Sequence, residues 1–149
     1  MSQQFRLSDE DFNYIYNKVP RLNVDLIVHA KEGGIVLIKR AIEPYIGSFH
    51  LPGGTVYKNE TIVEASIRVA KNETGFDVEF VKQLGFMDFP NEKRGDIFVH
   101  TVSIVIEVKE IGGELKKDNN AKEIGIFTTL PENGVPKHFA FLREHNILN

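Results

Sequence analysis

Gly53-Gly54-Thr55-Val56-Tyr57-Lys58-Asn59-Glu60, seven further residues to Arg68, then Glu73-Thr74-Gly75-Phe76, is the stretch on which the fold reading turns. A glycine pair lets the backbone turn tightly and approach a ligand closely. Thr61 followed three residues later by Glu64 is a capping box, so a helix starts there. Ile62, Ala65, Val69 and Ala70 give that helix an apolar stripe, and Gly75 is placed to end it. Residues four apart share a helix face, so Glu64, Arg68 and Asn72 form one row with Glu73 beside it.

Upstream, Ser8 and the acidic residues after it cap a helix from about Asp9 to Val19, with Phe12, Ile15, Tyr16 and Val19 as its stripe. From Leu22 to Ala30, Leu22, Val24, Leu26 and Val28 alternate with Asn23, Asp25, Ile27 and His29, the pattern of a strand. Lys31-Glu32-Gly33-Gly34 is a hairpin turn into a second strand, Ile35 to Lys39, and a short strand lies near Phe49 to Leu51. Downstream, two longer strands span about Val78 to Asp88 and Ile97 to Val108, joined by a polar loop from Pro90 to Gly95 whose Lys93 and Arg94 could reach a phosphate, a plain solvated loop being the other reading. Glu114 to Glu123 is charged and without clear periodicity. Ile124 to Thr128 reads as a strand and His138 to His145 as a closing helix. These elements imply one α+β domain over residues 1–149, a mixed β-sheet with helices packed on its faces.

Composition narrows the function. At 149 residues with a net charge of −3, the chain has no basic field to attract nucleic acid or an anionic membrane. It has no cysteine, which excludes disulfides, thiolate metal sites and a cysteine nucleophile. Met1 to Asp9 contains no apolar run of the kind a signal peptide needs, and a cytoplasmic location is expected.

Magnesium prefers oxygen ligands. Glu73 can supply a carboxylate, and the turn at Gly53 can supply a backbone carbonyl. An ion held there would neutralise a diphosphate. Arg68 can orient Glu60. The structural alternative is a solvated helix face with ordinary ion pairs.

Taken jointly, Gly54, Glu60, Arg68, Glu73, Gly75 and Phe76 resemble the box of the Nudix hydrolase family, with Val69 and Asn72 standing where that family has glutamates. Ile38-Lys39-Arg40 resembles the family's Lys-Arg at the end of the second strand. Gly47-Ser48-Phe49-His50-Leu51-Pro52-Gly53-Gly54 resembles its lead-in, with Phe49 in place of a tryptophan. Arg68-Val69-Ala70-Lys71-Asn72-Glu73-Thr74-Gly75 is similar in form to the box of the GDP-mannose mannosyl hydrolase branch, and Val24-Asp25-Leu26-Ile27-Val28 to a strand of that branch.

The resemblance implies a Mg²⁺- or Mn²⁺-dependent hydrolase acting on a nucleoside diphosphate linked to another group, with a nucleotide sugar favoured and a small-molecule nucleotide as partner. It places metal on Gly53 and Glu73, phosphate on Arg40 and substrate near Asp25; dimers occur in that branch. Where the branch carries a catalytic histidine, this chain has Lys116 to Glu123; the wider family's glutamate in this region makes Glu123 the candidate base or second metal ligand, a surface charge being the other reading. His50, next to the Leu-Pro-Gly-Gly run, and His100, inside a strand, are further candidates for the pocket, with packing roles as the alternative. His29, His138 and His145 read as surface or packing residues. A second functional reading is a Nudix-shaped nucleotide-binding or regulatory module that has lost catalysis.

Overall fold

A computed structural model describes residues 6–149, so the first five positions of the N-terminal stretch lie outside the described residues. The elements run α1 (Asp9–Tyr16), β1 (Arg21–His29), β2 (Ile35–Arg40), β3 (Phe49–His50), β4 (Gly53–Thr55), α2 (Ile62–Thr74), β5 (Phe76–Arg94), β6 (Ile97–Gly113), β7 (Ala121–Phe127) and α3 (Pro136–Glu144). The seven strands form one mixed sheet in which β3, β2, β1, β6 and β5 are successive neighbours, β4 pairs with β1 and β7 with β2.

The centre of the sheet is β1. It runs parallel to β6 along its whole length, from Arg21 opposite Thr101 to His29 opposite Lys109. Its other edge is shared: β4 takes Asn23 to Asp25, and β2 meets it only at His29 opposite Ile35. The cavity lies on one face of the first half of β1. The alternation along β1 sorts its residues onto two buried faces. Val24, Leu26 and Val28 pack with Ala65, Val69 and Ala70 of α2. Ile27 packs on the opposite side with Leu37, Val105 and, from α3, Phe139 and Leu142. The α+β architecture is therefore a sheet with a helix on each face, as the sequence implies.

α2 begins and ends as its sequence dictates. Thr61 Oγ1 accepts from the Glu64 N–H, the Glu64 carboxylate accepts from the Thr61 N–H, and Gly75 closes the helix at φ 81°. No side chain fits at Gly75, because an added Cβ would run into the Glu114 carbonyl.

Several boundaries differ from expectation: β6 runs on to Gly113, β7 begins at Ala121, the short β4 is added, and two further changes have a local cause. α1 stops at Tyr16, three residues short of Val19, because Pro20 disfavours helical geometry just before it. The segment from Pro90 to Arg94 is strand, and the turn to β6 is only Gly95 and Asp96. Between Phe89 opposite Thr101 and Glu92 opposite Val99, β5 has one residue more than β6, a bulge that accommodates a proline unable to donate to the ladder. The bulge has a functional consequence. Without it Glu92 and Arg94 would face away from Phe89; with it all three line the cavity. Among the described residues no helix is long and apolar enough to cross a membrane.

Candidate active site

The cavity between the sheet, the end of α2 and the start of α3 has a volume of about 190 Å³. Its floor is the first half of β1, which contributes Arg21, Asn23 and Asp25. All three are buried polar residues, unusual in a central strand.

Asp25 is 5 % exposed. Its Oδ2 accepts from Ser103 Oγ at 2.5 Å, and His138 Nε2 stands 3.7 Å from the same oxygen. Burial raises the Asp25 pKa to about 6, against the lowering influence of Ser103, Arg21, Arg40 and Arg94. His138 receives the Leu51 N–H on Nδ1 at 3.0 Å. An amide can only donate, so Nδ1 is unprotonated and the ring proton sits on Nε2, toward Asp25. Burial, with Arg40 nearby, holds the His138 pKa down at about 3.

His50 has the opposite tautomer. Its Nδ1 lies 2.6 Å from the Leu51 carbonyl, which only accepts, so Nδ1 carries the proton and Nε2 is left as an acceptor. Burial lowers its pKa to about 3. In that form Nε2 suits a hydroxyl or water and not a phosphate oxygen.

Beside Asp25 is the corner to which the resemblance assigns a metal. Gly53 is required there, because a Cβ would collide with Asp25 Oδ1. Glu73 projects from the last turn of α2 into the cavity, where Asp118 also reaches. Burial pushes the Glu73 pKa to about 9, the neighbouring Asp118 carboxyl pushes it the same way, and the Gly53 N–H and Arg40 act against them. Two facing carboxyls next to a glycine turn form a hard oxygen donor set that fits Mg²⁺ or Mn²⁺. The set falls short of three acidic ligands: among the described residues no trio of His, Cys, Asp or Glu side chains is grouped for a metal.

Cationic charge comes from Arg21, Arg40 and Arg94, all lining the cavity. Burial lowers the pKa of each, that of Arg21 to about 10. The Arg40 guanidinium also donates to the carbonyls of Ile42 and Glu43, tying down the loop after β2.

Arg68 and Glu60 form a bidentate pair behind the corner. Nε donates to Oε2 at 2.6 Å and Nη2 to Oε1 at 3.0 Å, while Nη2 also donates to the Thr55 carbonyl at 2.7 Å. The Tyr57 ring covers the guanidinium, 3.8 Å from its centroid. Burial alone would raise the Glu60 pKa, but the hydrogen bonds from Arg68 and the Tyr57 N–H outweigh it and the net shift is downward. Arg68 does not line the cavity, so it braces the loop from β4 to α2 and does not touch a ligand there.

The structure thus gathers Asp25, Arg40, His50, Gly53 and Glu73 around one cavity. Two expected members are elsewhere. Glu123 projects from β7, with 60 % of its side chain exposed, and pairs with Lys39 at 3.6 Å. His100 lies outside the cavity lining and pairs with Asp88 at 2.7 Å on the outer side of β5 and β6. Its strand position opposes the face that carries Thr101 into the cavity. Arg21, Asn23 and Asp118 are not site candidates in the sequence reading, while His138 reads there as a surface or packing residue and Glu92 and Arg94 as part of a polar loop. A signal for the β1 residues existed, namely polar side chains inside an otherwise apolar strand.

Comparison with known proteins gives a consistent result. A model of the NUDIX domain matches residues 19–144. The chain is 41 % identical over 119 residues to an ADP-ribose pyrophosphatase of Methanocaldococcus jannaschii, covering 79 % of this chain and 66 % of that one, just under two thirds of its length. It is 34 % identical over 125 residues to the low-salt glycan biosynthesis protein Agl8 of Haloferax volcanii, covering 82 % and 80 % respectively. Among solved structures, a MutT NUDIX hydrolase from Burkholderia pseudomallei superposes with a TM-score of 0.73 at 26 % identity, over 85 % of this chain and 98 % of that one.

Proposed function

The chain belongs to the NUDIX domain family, and from that premise we propose that it is a divalent-metal-dependent hydrolase of a nucleoside diphosphate linked to a sugar. The observation that carries this reading is the pairing, in one cavity, of Arg40 with the Glu73 and Asp118 carboxyls beside Gly53. Arg40 suits the diphosphate; the oxygen donors suit the ion that accompanies it. The relatives described as an ADP-ribose pyrophosphatase and a glycan biosynthesis protein are in keeping with a sugar-bearing nucleotide.

The Gly53 carbonyl, Glu73 and Asp118 would hold the ion, which when bound supplies charge neutralisation and polarises the leaving group. Arg40 grips phosphate while its bonds to Ile42 and Glu43 shape the mouth. Asp25 takes the role first given to Glu123, since it is the cavity carboxylate with a pKa near neutrality and fixed partners. His138 turns its Nε2–H toward it from 3.7 Å.

Hydrolysis of a nucleotide-sugar panel with Mg²⁺ tests the reading. Native protein turns over at least one member, and Glu73→Gln loses about 100-fold or more, by analogy with removal of a group that stabilises transition-state charge. Full activity in Glu73→Gln overturns the metal corner. Free sugar plus nucleoside diphosphate would mean attack at carbon, and sugar phosphate plus monophosphate attack at phosphorus.

A second reading, a nucleotide-binding module without catalysis, is favoured by one observation. Val69 is in the core and Asn72 is on the surface, outside the cavity, so neither box position adds a ligand. It requires nucleotide binding with no turnover of any panel member.

A further inference from the structure

Among the described residues, two side-chain polar atoms are shut away from solvent without a hydrogen-bond partner: Oδ1 of Asn23 and Nε of Arg94. Both residues line the cavity, and Asn23 is only 6 % exposed. An orphaned buried donor or acceptor costs roughly 1–3 kcal/mol, and folded proteins keep few of them. Two in one cavity, one of each polarity, point to a ligand that answers both.

The orientation of the Asn23 amide follows from its neighbours. Ser103 Oγ gives its proton to Asp25 Oδ2, so toward Asn23 it can only accept, and it does so from Nδ2 at 3.2 Å. The same Nδ2 donates to the Val24 carbonyl at 3.1 Å. Turning the amide over would set Oδ1 against that carbonyl, acceptor against acceptor. Oδ1 is therefore the atom left over.

Polarity then selects the ligand. Oδ1 requires a donor and the Arg94 Nε–H requires an acceptor. Phosphate only accepts, so it cannot satisfy Asn23, and an ammonium only donates. A hydroxyl does both. A nucleobase edge also does both, but bases are held by stacking on flat aromatic or guanidinium faces. Of the aromatic side chains lining the cavity, Phe89 is 7 % exposed and lies under Lys137 and against His138, and Tyr45 is bonded to Glu92, while the Arg21 guanidinium is tied down by Thr55 Oγ1 at 2.8 Å and Thr101 Oγ1 at 3.2 Å. We propose that this end of the cavity is a saccharide subsite in which Asn23 and Arg94 bind ring hydroxyls of the sugar attached to the diphosphate. The inference rests on the nucleotide-sugar reading above and adds which residues read the sugar. A site that hydrogen-bonds a hydroxyl discriminates strongly against ligands that lack it, because its own polar groups are then left unpaired.

Calorimetric titration in Mg²⁺ tests it, using the pairs ADP and ADP-glucose, UDP and UDP-glucose, and GDP and GDP-mannose, with ligand integrity checked by chromatography. In the native protein the sugar nucleotide of at least one pair binds about tenfold or more tighter than its diphosphate. Asn23→Leu removes that increment and leaves the diphosphate affinity within about twofold. Arg94→Lys, which keeps the charge at a strand end and deletes Nε, reduces the increment in the same selective way. Equal weakening of both members of a pair by either variant means a structural role and overturns the subsite, as does an increment that survives both substitutions. If a diphosphate binds but its sugar adds nothing, the subsite alone falls. If no diphosphate binds the native protein, the nucleotide reading of the cavity falls with it.

Discussion

His138 Nε2 stands 3.7 Å from Asp25 Oδ2, with its proton held on that nitrogen because Nδ1 is occupied by the Leu51 N–H. The histidine is neutral and cannot exchange protons in the working range, since burial keeps its pKa at about 3. It acts as a fixed dipole aimed at the carboxylate. Asp25 must be ionised to accept a proton, so kcat/KM is expected to rise with pH through about 6 and to level off above it. His138→Phe withdraws the N–H that favours the ionised form, so the inflection should move to higher pH while the plateau survives in part. A profile unchanged by His138→Phe would show that the ring only fills space.

The facing carboxyls of Glu73 and Asp118 make the response to Mg²⁺ diagnostic. With its pKa at about 9, Glu73 is protonated in the metal-free protein at neutral pH and bonds to Asp118, so Asp118→Asn keeps an acceptor for that proton and should move the thermal midpoint in EDTA little. In Mg²⁺ the native protein should gain stability, about 2.7 kcal/mol at a hundredfold excess over Kd, and the variant should gain less. Differential scanning fluorimetry with and without Mg²⁺ checks both expectations. A native midpoint that ignores Mg²⁺ would remove the ion from this corner.

Features fixed by local hydrogen bonds were readable from the chain. The Thr61–Glu64 capping box and the Gly75 terminus need only a few neighbouring residues, and both are formed as the sequence dictates. Gly53, Glu73 and Arg40 were readable because they stand at fixed distances from that helix or from the strand before it. The rest of the cavity depends on contacts that no local window contains. Arg21 meets Thr101 across eighty positions of chain, and Asp25 meets Ser103 across seventy-eight. Arg94 and Glu92 enter only because of a bulge at Pro90, where a proline in a polar stretch otherwise reads as a loop. His138 was indistinguishable from a packing residue because its role is set by the peptide of Leu51, eighty-seven positions away.

The Arg68–Glu60 pair should make the protein acid-labile. The Glu60 pKa is lowered in the folded state, so its contribution is present above the ordinary carboxylate range and is lost as pH falls through the lowered folded value. Arg68→Ala leaves a carboxylate with no exposed side-chain surface and only the Tyr57 N–H as partner, which costs on the order of 3 kcal/mol at pH 7. Urea titrations at pH 7 and pH 3 measure this: the variant should be much weaker than native at pH 7, with the difference narrowing at pH 3. An equal gap at both values would mean that the ion pair contributes nothing.

Val69 is 2 % exposed and lies in the apolar cluster between α2 and β1. Its methyls also press on the backbone, since a Cβ at Gly54 would come within 3.0 Å of Cγ2. Introducing a carboxylate here therefore means burying a charge among aliphatic side chains, even though the family pattern has a glutamate at this position. In metal-free buffer Val69→Glu is expected to destabilise by several kcal/mol, on the scale of an unpaired buried charge. Val69→Ala removes two methyl groups and should cost about 1–3 kcal/mol. Chemical denaturation of both variants in EDTA gives the comparison. If Val69→Glu is the milder of the two, the carboxylate has reached the cavity and Val69 stands at the edge of the metal corner; the larger loss in Val69→Glu would show why the thinned box keeps valine.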